Sequence, residues 1–128
     1  MGDKTRDWKE LARLLEEKEF DIEQAMEICA DDMDLYIEVL KTAMEEGRRK
    51  IPIIRSSMEK RDYKRYHIEV HGLKHAMLAI GAMELSALSA EQEIAVKEGD
   101  AERVSAGYEV LIVKYEELVA FLQSIFES

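Results

Sequence analysis

The chain has 128 residues, 47% of them hydrophobic, which is enough for one modest core and predicts a single domain. Its formal net charge of −10 repels a nucleic-acid backbone, and no basic run with interleaved aromatic residues offsets that charge. No apolar run approaches the roughly 18 residues that cross a bilayer, and the start, MGDKTRDWKE, has no apolar core typical of a signal peptide.

The N-terminal half predicts three helices. The first, DWKELARLLEEKEF, begins with Asp7 as its N-cap and ends near Phe20. Asp21 then caps a short helix, IEQAMEICA. The segment from DDMDLY to SSMEK has apolar residues at helical spacing and predicts one long helix, bent at Pro52 because proline removes an intrahelical hydrogen bond.

The C-terminal half predicts three more helices. Asp62 caps one that runs to about Ile80 and ends at Gly81. The next runs from Ala82 or Met83 to Lys97, and a last helix runs from Ala101 to about Phe126. In the helix that ends at Lys97 the residues expected to face inward are Leu85, Leu88, Ile94 and Ala95.

Short links between long amphipathic helices favour antiparallel neighbours, so the sequence predicts an all-α fold. We expect an antiparallel four-helix bundle over residues 21–128, with additional short N-terminal helices. Residues 1–20 would form an N-terminal helix that could be the end of a linker. A ring of exposed charge favours a monomer, and the single cysteine, Cys29, favours a reducing, cytoplasmic compartment. The lack of a long apolar run predicts no direct membrane association.

Positive charge is concentrated between Arg48 and Lys74, where nine Lys or Arg residues stand against three Asp or Glu. The local balance of +6 contrasts with the acidic remainder of the chain. This basic region is either a solvated face of two helices or a docking surface for an acidic or phosphorylated partner.

All three histidines lie in YHIEVHGLKHAMLAIGA, at positions 67, 71 and 75. On a helix that turns 100° per residue, an apolar stripe faces the core, and it consists of Tyr66, Val70, Leu73, Met77 and Ile80. His71 and His75 point away from that stripe and should be exposed, whereas His67 and Lys74 lie on its flank. Leu78 joins the outer face.

An exposed neutral imidazole is a competent nucleophile at physiological pH, and a lysine one turn away can place an ammonium beside a phosphoryl group on that ring. His71 and Lys74 have this spacing, although His-x-x-Lys on a helix is common by chance. Histidines four residues apart can also share a zinc ion, but a firm site needs a third ligand and none is evident nearby. The sequence therefore predicts no metal site.

The stretch VHGLKHAMLAIGAMEL resembles the signature of the histidine-containing phosphotransfer (HPt) domain, with a His-x-Leu-Lys core before an Ile-Gly-Ala helix break. The upstream FDIEQAMEICADDMDLYIEVLKTAMEEG, the approach RDYKRYHIEVHGLK and the turn EQEIAVKEGDAERV are similar to the family's segments in the same order. The resemblance covers about residues 20 to 122.

The resemblance implies that His71 accepts a phosphoryl group, that Lys74 stabilises it and that Leu73 anchors the helix between them. His75 stands where such domains usually have glycine or serine. The small residue in those domains leaves space over the histidine ring for a partner receiver domain. Residues expected to contact that partner are Lys64, His67, His75 and Leu78.

By that resemblance the chain is a phosphorelay intermediate that takes a phosphoryl group from the aspartyl phosphate of a receiver domain and passes it to another receiver. The receiver would belong to a response regulator or a hybrid sensor kinase, and it would supply Mg²⁺, so this chain needs no cofactor of its own. The sequence contains no Gly-rich phosphate loop, HExxH or nucleophile elbow, and it predicts no autonomous enzyme. A second hypothesis is an HPt-like adaptor or inhibitor that binds a receiver or kinase without phosphotransfer.

Overall fold

Five helices begin directly after an aspartate whose carboxylate accepts a hydrogen bond from a backbone N–H of the first turn. The computed structural model describes residues 7–127, and within that range the chain forms helices and no strand. The caps at positions 7, 21 and 62 are those that the sequence predicts. The six helices are α1 (Trp8–Glu17), α2 (Ile22–Ile28), α3 (Met33–Glu59), α4 (Tyr63–Ile80), α5 (Met83–Lys97) and α6 (Ala101–Phe126).

The predicted long helix is confirmed, since α3 continues through Pro52 to Glu59. The break after α4 is also as predicted: Gly81 closes the helix with φ +84°, a left-handed conformation that glycine adopts at little cost. A Cβ at Gly81 would lie 2.4 Å from the carbonyl oxygen of Asp21. The Asp21 N–H donates to the Gly81 carbonyl at 2.8 Å, so the α1–α2 and α4–α5 turns are joined there.

The four long helices share one hydrophobic core, in which α3 and α5 each pack against both α4 and α6. The predicted stripe of α4 is confirmed, because all five of its residues are buried. The short helix α2 packs against α4, α3 and α1, and Leu11 and Leu15 of α1 are buried in the same core. Residues 1–6 of the predicted N-terminal segment lie outside the described range, as does residue 128.

Polar residues line part of the buried face of α5, and one prediction for this helix is wrong. Ile94 was expected to face the core, yet it is 46% exposed. The buried positions include Ser89 and Gln92 instead, and Tyr66 donates to the Gln92 side-chain carbonyl oxygen at 2.5 Å. Ile94 lies about 200° around the helix from Gln92, so burial of one exposes the other.

Close approach of α3 and α6 requires a glycine. Gly47 of α3 is buried, and a Cβ there would lie 2.3 Å from a methyl group of Val119. None of the helices within residues 7–127 is both long enough and apolar enough to cross a membrane.

Candidate functional site

The outer face of α4 presents His71 at mid-helix. Its side chain is 53% exposed, and His75, one turn later, is also exposed, as the helical wheel predicts. Gly72, beside His71, is exposed, and a Cβ placed on it would meet no atom within 4 Å. The helix surface beside His71 is therefore open at Gly72.

Glu93 of α5 joins His71 to Lys74. The Glu93 side chain is only 9% exposed. Its Oε2 lies 2.5 Å from Nδ1 of His71, and its Oε1 accepts from the Lys74 ammonium at 2.7 Å. One nearly buried carboxylate thus binds both residues that the sequence singles out, using a different oxygen for each.

The Lys74 hydrogen bond is the largest cause that lowers the pKa of Glu93 from 4.5 to about 2, and the His71 hydrogen bond adds to it, while burial opposes both. Glu93 is therefore ionised at neutral pH and can only accept hydrogen bonds. The short contact then requires His71 to carry its proton on Nδ1. In the neutral ring the lone pair lies on Nε2, which is the nucleophilic nitrogen.

His67 lies at the flank of the apolar stripe of α4, as the helical wheel predicts, and is half-buried. Its side chain is 31% exposed, and its Nε2 is buried without a hydrogen-bond partner among the described residues. That nitrogen lies 3.7 Å from Oε2 of Glu93. His67 therefore faces the same carboxylate as His71, one turn along α4.

His75 contacts the His71 ring directly. The two ring centroids are 4.7 Å apart, with an angle of 71° between the planes, an edge-to-face arrangement. The His75 ring therefore covers one side of the His71 ring. Its ring leaves His71 more than half exposed.

The other predicted docking residues lie at different depths. Lys64 is exposed and Leu78 is half-buried. Two further apolar side chains of these helices are exposed: Ile68, one turn before His71 on α4, is 56% exposed, and Ile94, next to Glu93 on α5, is 46% exposed. The outer face thus combines imidazole, cationic and apolar groups.

Glu69, on α4 between His67 and His71, is buried and serves a different contact. It pairs with Arg65 at 3.1 Å and with Lys50 of α3 at 3.5 Å, so two residues of the basic region bind a carboxylate within the fold. Within residues 7–127 no three His, Cys, Asp or Glu side chains are grouped so that they could hold a metal ion.

The spacing of residues along α4 does not predict Glu93 as a partner of His71, because Glu93 lies on a different helix, 22 positions away in the chain. A sequence signal for Glu93 does exist. Gln92 and Glu93 each lie one turn beyond Ser89 and two turns beyond Leu85, and Leu85 is predicted to face inward. Helical periodicity therefore indicates that this face of α5 is at least partly enclosed, and both Ser89 and Leu85 are buried. Comparison of the chain with protein-family models, with curated proteins and with solved structures gives no match.

Proposed function

We propose that this chain is a phosphorelay intermediate of two-component signalling, in which His71 accepts a phosphoryl group from a receiver-domain aspartyl phosphate and passes it to another receiver. The observation that carries the proposal is the geometry of His71. Its Nδ1 is bound by an ionised carboxylate at 2.5 Å, while the side chain stays 53% exposed. Such a ring is held in one tautomer and is open to a partner's active site.

The proposal includes an HPt-type four-helix bundle made of α3, α4, α5 and α6. It is supported by the packing of α3 and α5 against both α4 and α6, and by the short turns between successive helices. It also includes a cytoplasmic location, which is consistent with Cys29 being a buried free thiol.

The transfer step needs no reactant other than His71 and the phosphorylated receiver. The lone pair of His71 Nε2 attacks phosphorus, the N–P bond forms, and the P–O bond to the receiver aspartate breaks so that its carboxylate leaves with the electron pair. The proton stays on Nδ1, and the ring therefore gains positive charge as the new bond forms. Glu93 stabilises that charge, which keeps the phosphoramidate ready for onward transfer.

Lys74 has two roles in this scheme. In the free protein its ammonium is 2.7 Å from Glu93 and is 27% exposed. When a phosphoryl group is attached to His71 one turn away, the ammonium can turn toward the phosphoryl oxygens while it remains near the carboxylate. The receiver would supply Mg²⁺ and most of the charge neutralisation.

The partner surface would consist of the exposed apolar and basic groups around His71. Ile68 and Ile94 supply apolar contact area, and Lys64 belongs to the +6 region that would attract an acidic receiver pocket. Since Arg65 and Lys50 already bind Glu69, the exposed lysines of this region contribute more to attraction than those two residues do.

The direct test is transfer of ³²P from a panel of phosphorylated receiver domains to the full chain. Labelling should be acid-labile and alkali-stable, as phosphohistidine is, and His71→Gln should abolish it. His67→Gln and His75→Gln are the matched controls, because each removes one imidazole of the same line and leaves His71 in place. Equal labelling of wild type and His71→Gln would refute the proposal.

One observation favours the second candidate, a non-transferring adaptor that binds a receiver or kinase. The His75 ring lies against His71 at 4.7 Å, where a small residue would leave more room. In that case receivers would bind the chain, yet the wild type would not be labelled by any of them.

A further inference from the structure

A cleft of about 360 Å³ lies at the end of the molecule where the α1–α2 turn, the start of α5 and the C-terminal half of α6 meet. It is separate from the histidine site, since His71 is about 15 Å along α4 from Gly81. Its volume lies within the range of small-molecule sites.

The floor of the cleft is apolar and aromatic. Phe20 packs against Phe121 with ring centroids 5.9 Å apart, and Ala82, Leu85 and Leu118 complete the surface. Phe20 and Leu85 are buried in the core, so the floor continues into the hydrophobic interior.

The walls are joined to each other before any ligand binds. The Asp21 N–H donates to the Gly81 carbonyl at 2.8 Å, which fixes the α1–α2 turn against the α4–α5 turn. The Phe20–Phe121 contact fixes the same turn against α6. Because the cleft is preformed, little conformational entropy of the protein is lost when a ligand binds.

The charge around the rim favours a cation. Four glutamates and two lysines line the cleft, and they are Glu17, Lys18, Glu19, Glu84, Lys114 and Glu117. Within residues 7–127, Glu17 pairs with Arg13 and Glu84 with Lys114, while Glu19 and Glu117 enter no ion pair. The ammonium of Lys18 lies 5.6 Å from the centroid of the Phe121 ring, so one aromatic face of the cleft already receives a cation from the chain itself.

We infer that this cleft binds a small organic ammonium ion with an apolar body, whose charged group contacts Glu19 and Glu117 and displaces Lys18 from the Phe121 ring. The apolar body would occupy the floor between Phe20, Leu85 and Leu118. The inference is independent of phosphotransfer at His71.

The experiment uses a matched pair of probes, 4-phenylbutylammonium and 4-phenylbutyrate, titrated into the ¹⁵N-labelled full chain at low salt. The ammonium should produce saturable amide shifts in residues 17–20, 82–85 and 114–121, and it should bind more tightly than the carboxylate. Equal or tighter binding of the carboxylate, shifts scattered over the surface, or no binding of either probe would overturn the inference.

Variants at the rim test the assigned contacts. Glu117→Gln should weaken ammonium binding about threefold, whereas Lys18→Ala should tighten it about threefold because the competing ammonium is gone. Glu109→Gln, an exposed glutamate of α6 away from the cleft, is the control and should leave the affinity unchanged. Weaker binding by Lys18→Ala would contradict the displacement. Cleft shifts that follow protein concentration instead of probe concentration would assign the cleft to a second copy of the chain.

Discussion

Nδ1 of His71 and Oε2 of Glu93 lie 2.5 Å apart although the two residues are on different helices and 22 positions apart in the chain. The same carboxylate binds Lys74 through its other oxygen. Sequence spacing identifies His71 and Lys74 as a pair. In the structure they belong to a cluster of three residues, with the Glu93 carboxylate at its centre.

The first prediction concerns the tautomer of His71. Glu93→Gln replaces the ionised acceptor by an amide, which no longer requires Nδ1 to carry the proton, and it removes the charge that, in the proposed relay, would stabilise a phosphorylated ring. The loss of a hydrogen bond to a charged group is worth about 1.5–3 kcal/mol, so transfer to His71 should slow roughly tenfold or more.

Imidazole ¹⁵N shifts of His71 provide the readout that a purely structural role would not change. Wild type should show a protonated Nδ1 and an unprotonated Nε2 at pH 8, and Glu93→Gln should show a mixture. Glu91→Gln on the same helix is the control, because Glu91 is exposed and pairs with Arg103 at 3.4 Å. An unchanged tautomer in Glu93→Gln would contradict the assignment.

The second prediction concerns stability at low pH. The folded-state pKa of Glu93 is about 2, below its ordinary value of 4.5, so the stability that its ionised form contributes is fully present above pH 4.5. That contribution is lost as the pH falls from 4.5 toward 2. The difference in unfolding free energy between wild type and Glu93→Gln should therefore shrink over this window.

Urea denaturation of both proteins at several pH values measures this difference. Lys74→Ala supplies a second check by carboxyl ¹³C titration. The Lys74 hydrogen bond is the largest cause of the lowered pKa of Glu93, so its removal should raise that pKa toward 4.5. A stability difference that is constant between pH 5 and pH 2 would be inconsistent with a depressed pKa.

The third prediction compares two glycines inside helices. Gly72→Ala should raise stability by up to about 1 kcal/mol, because a Cβ there meets nothing within 4 Å and alanine is the better helix former. Gly47→Ala should lower stability by about 1–3 kcal/mol, because its Cβ would overlap the Val119 methyl. Thermal and chemical denaturation of the two variants should give opposite signs.

The fourth prediction separates the relay from the adaptor through His75. If the chain is a relay, the wild type labels readily, and His75→Ala changes the rate by less than about tenfold because His71 is already more than half exposed. An adaptor blocked by His75 predicts labelling that appears only in the variant. Single-turnover transfer with the same receiver distinguishes these outcomes.

The fifth prediction concerns salt. Attraction of an acidic receiver by the +6 region should weaken as NaCl rises from 50 to 500 mM, since the Debye length falls below about 10 Å. Lys64→Gln should weaken binding and reduce this salt dependence, whereas Lys97→Gln, an exposed lysine at the end of α5, should do neither. Titration calorimetry at three salt concentrations provides the measurement.

The sequence by itself determined the helices. Caps such as Asp21 and Asp62 and the left-handed Gly81 act through hydrogen bonds and backbone angles within a few residues, so they can be recognised without knowledge of the fold. The buried stripe of α4 was predictable for the same reason, because helical periodicity alone decides which side chains share a face.

Only the tertiary structure decided the environment of His71. Glu93 approaches it because α5 packs against α4 in one particular register, and that register depends on the whole interface. The inward position of Gln92 and the outward position of Ile94 depend on the same packing: a buried hydrogen bond to Tyr66 makes the polar residue an acceptable core neighbour. Helical periodicity separates the faces of a helix, but the neighbouring helices decide which face is enclosed and which groups meet there.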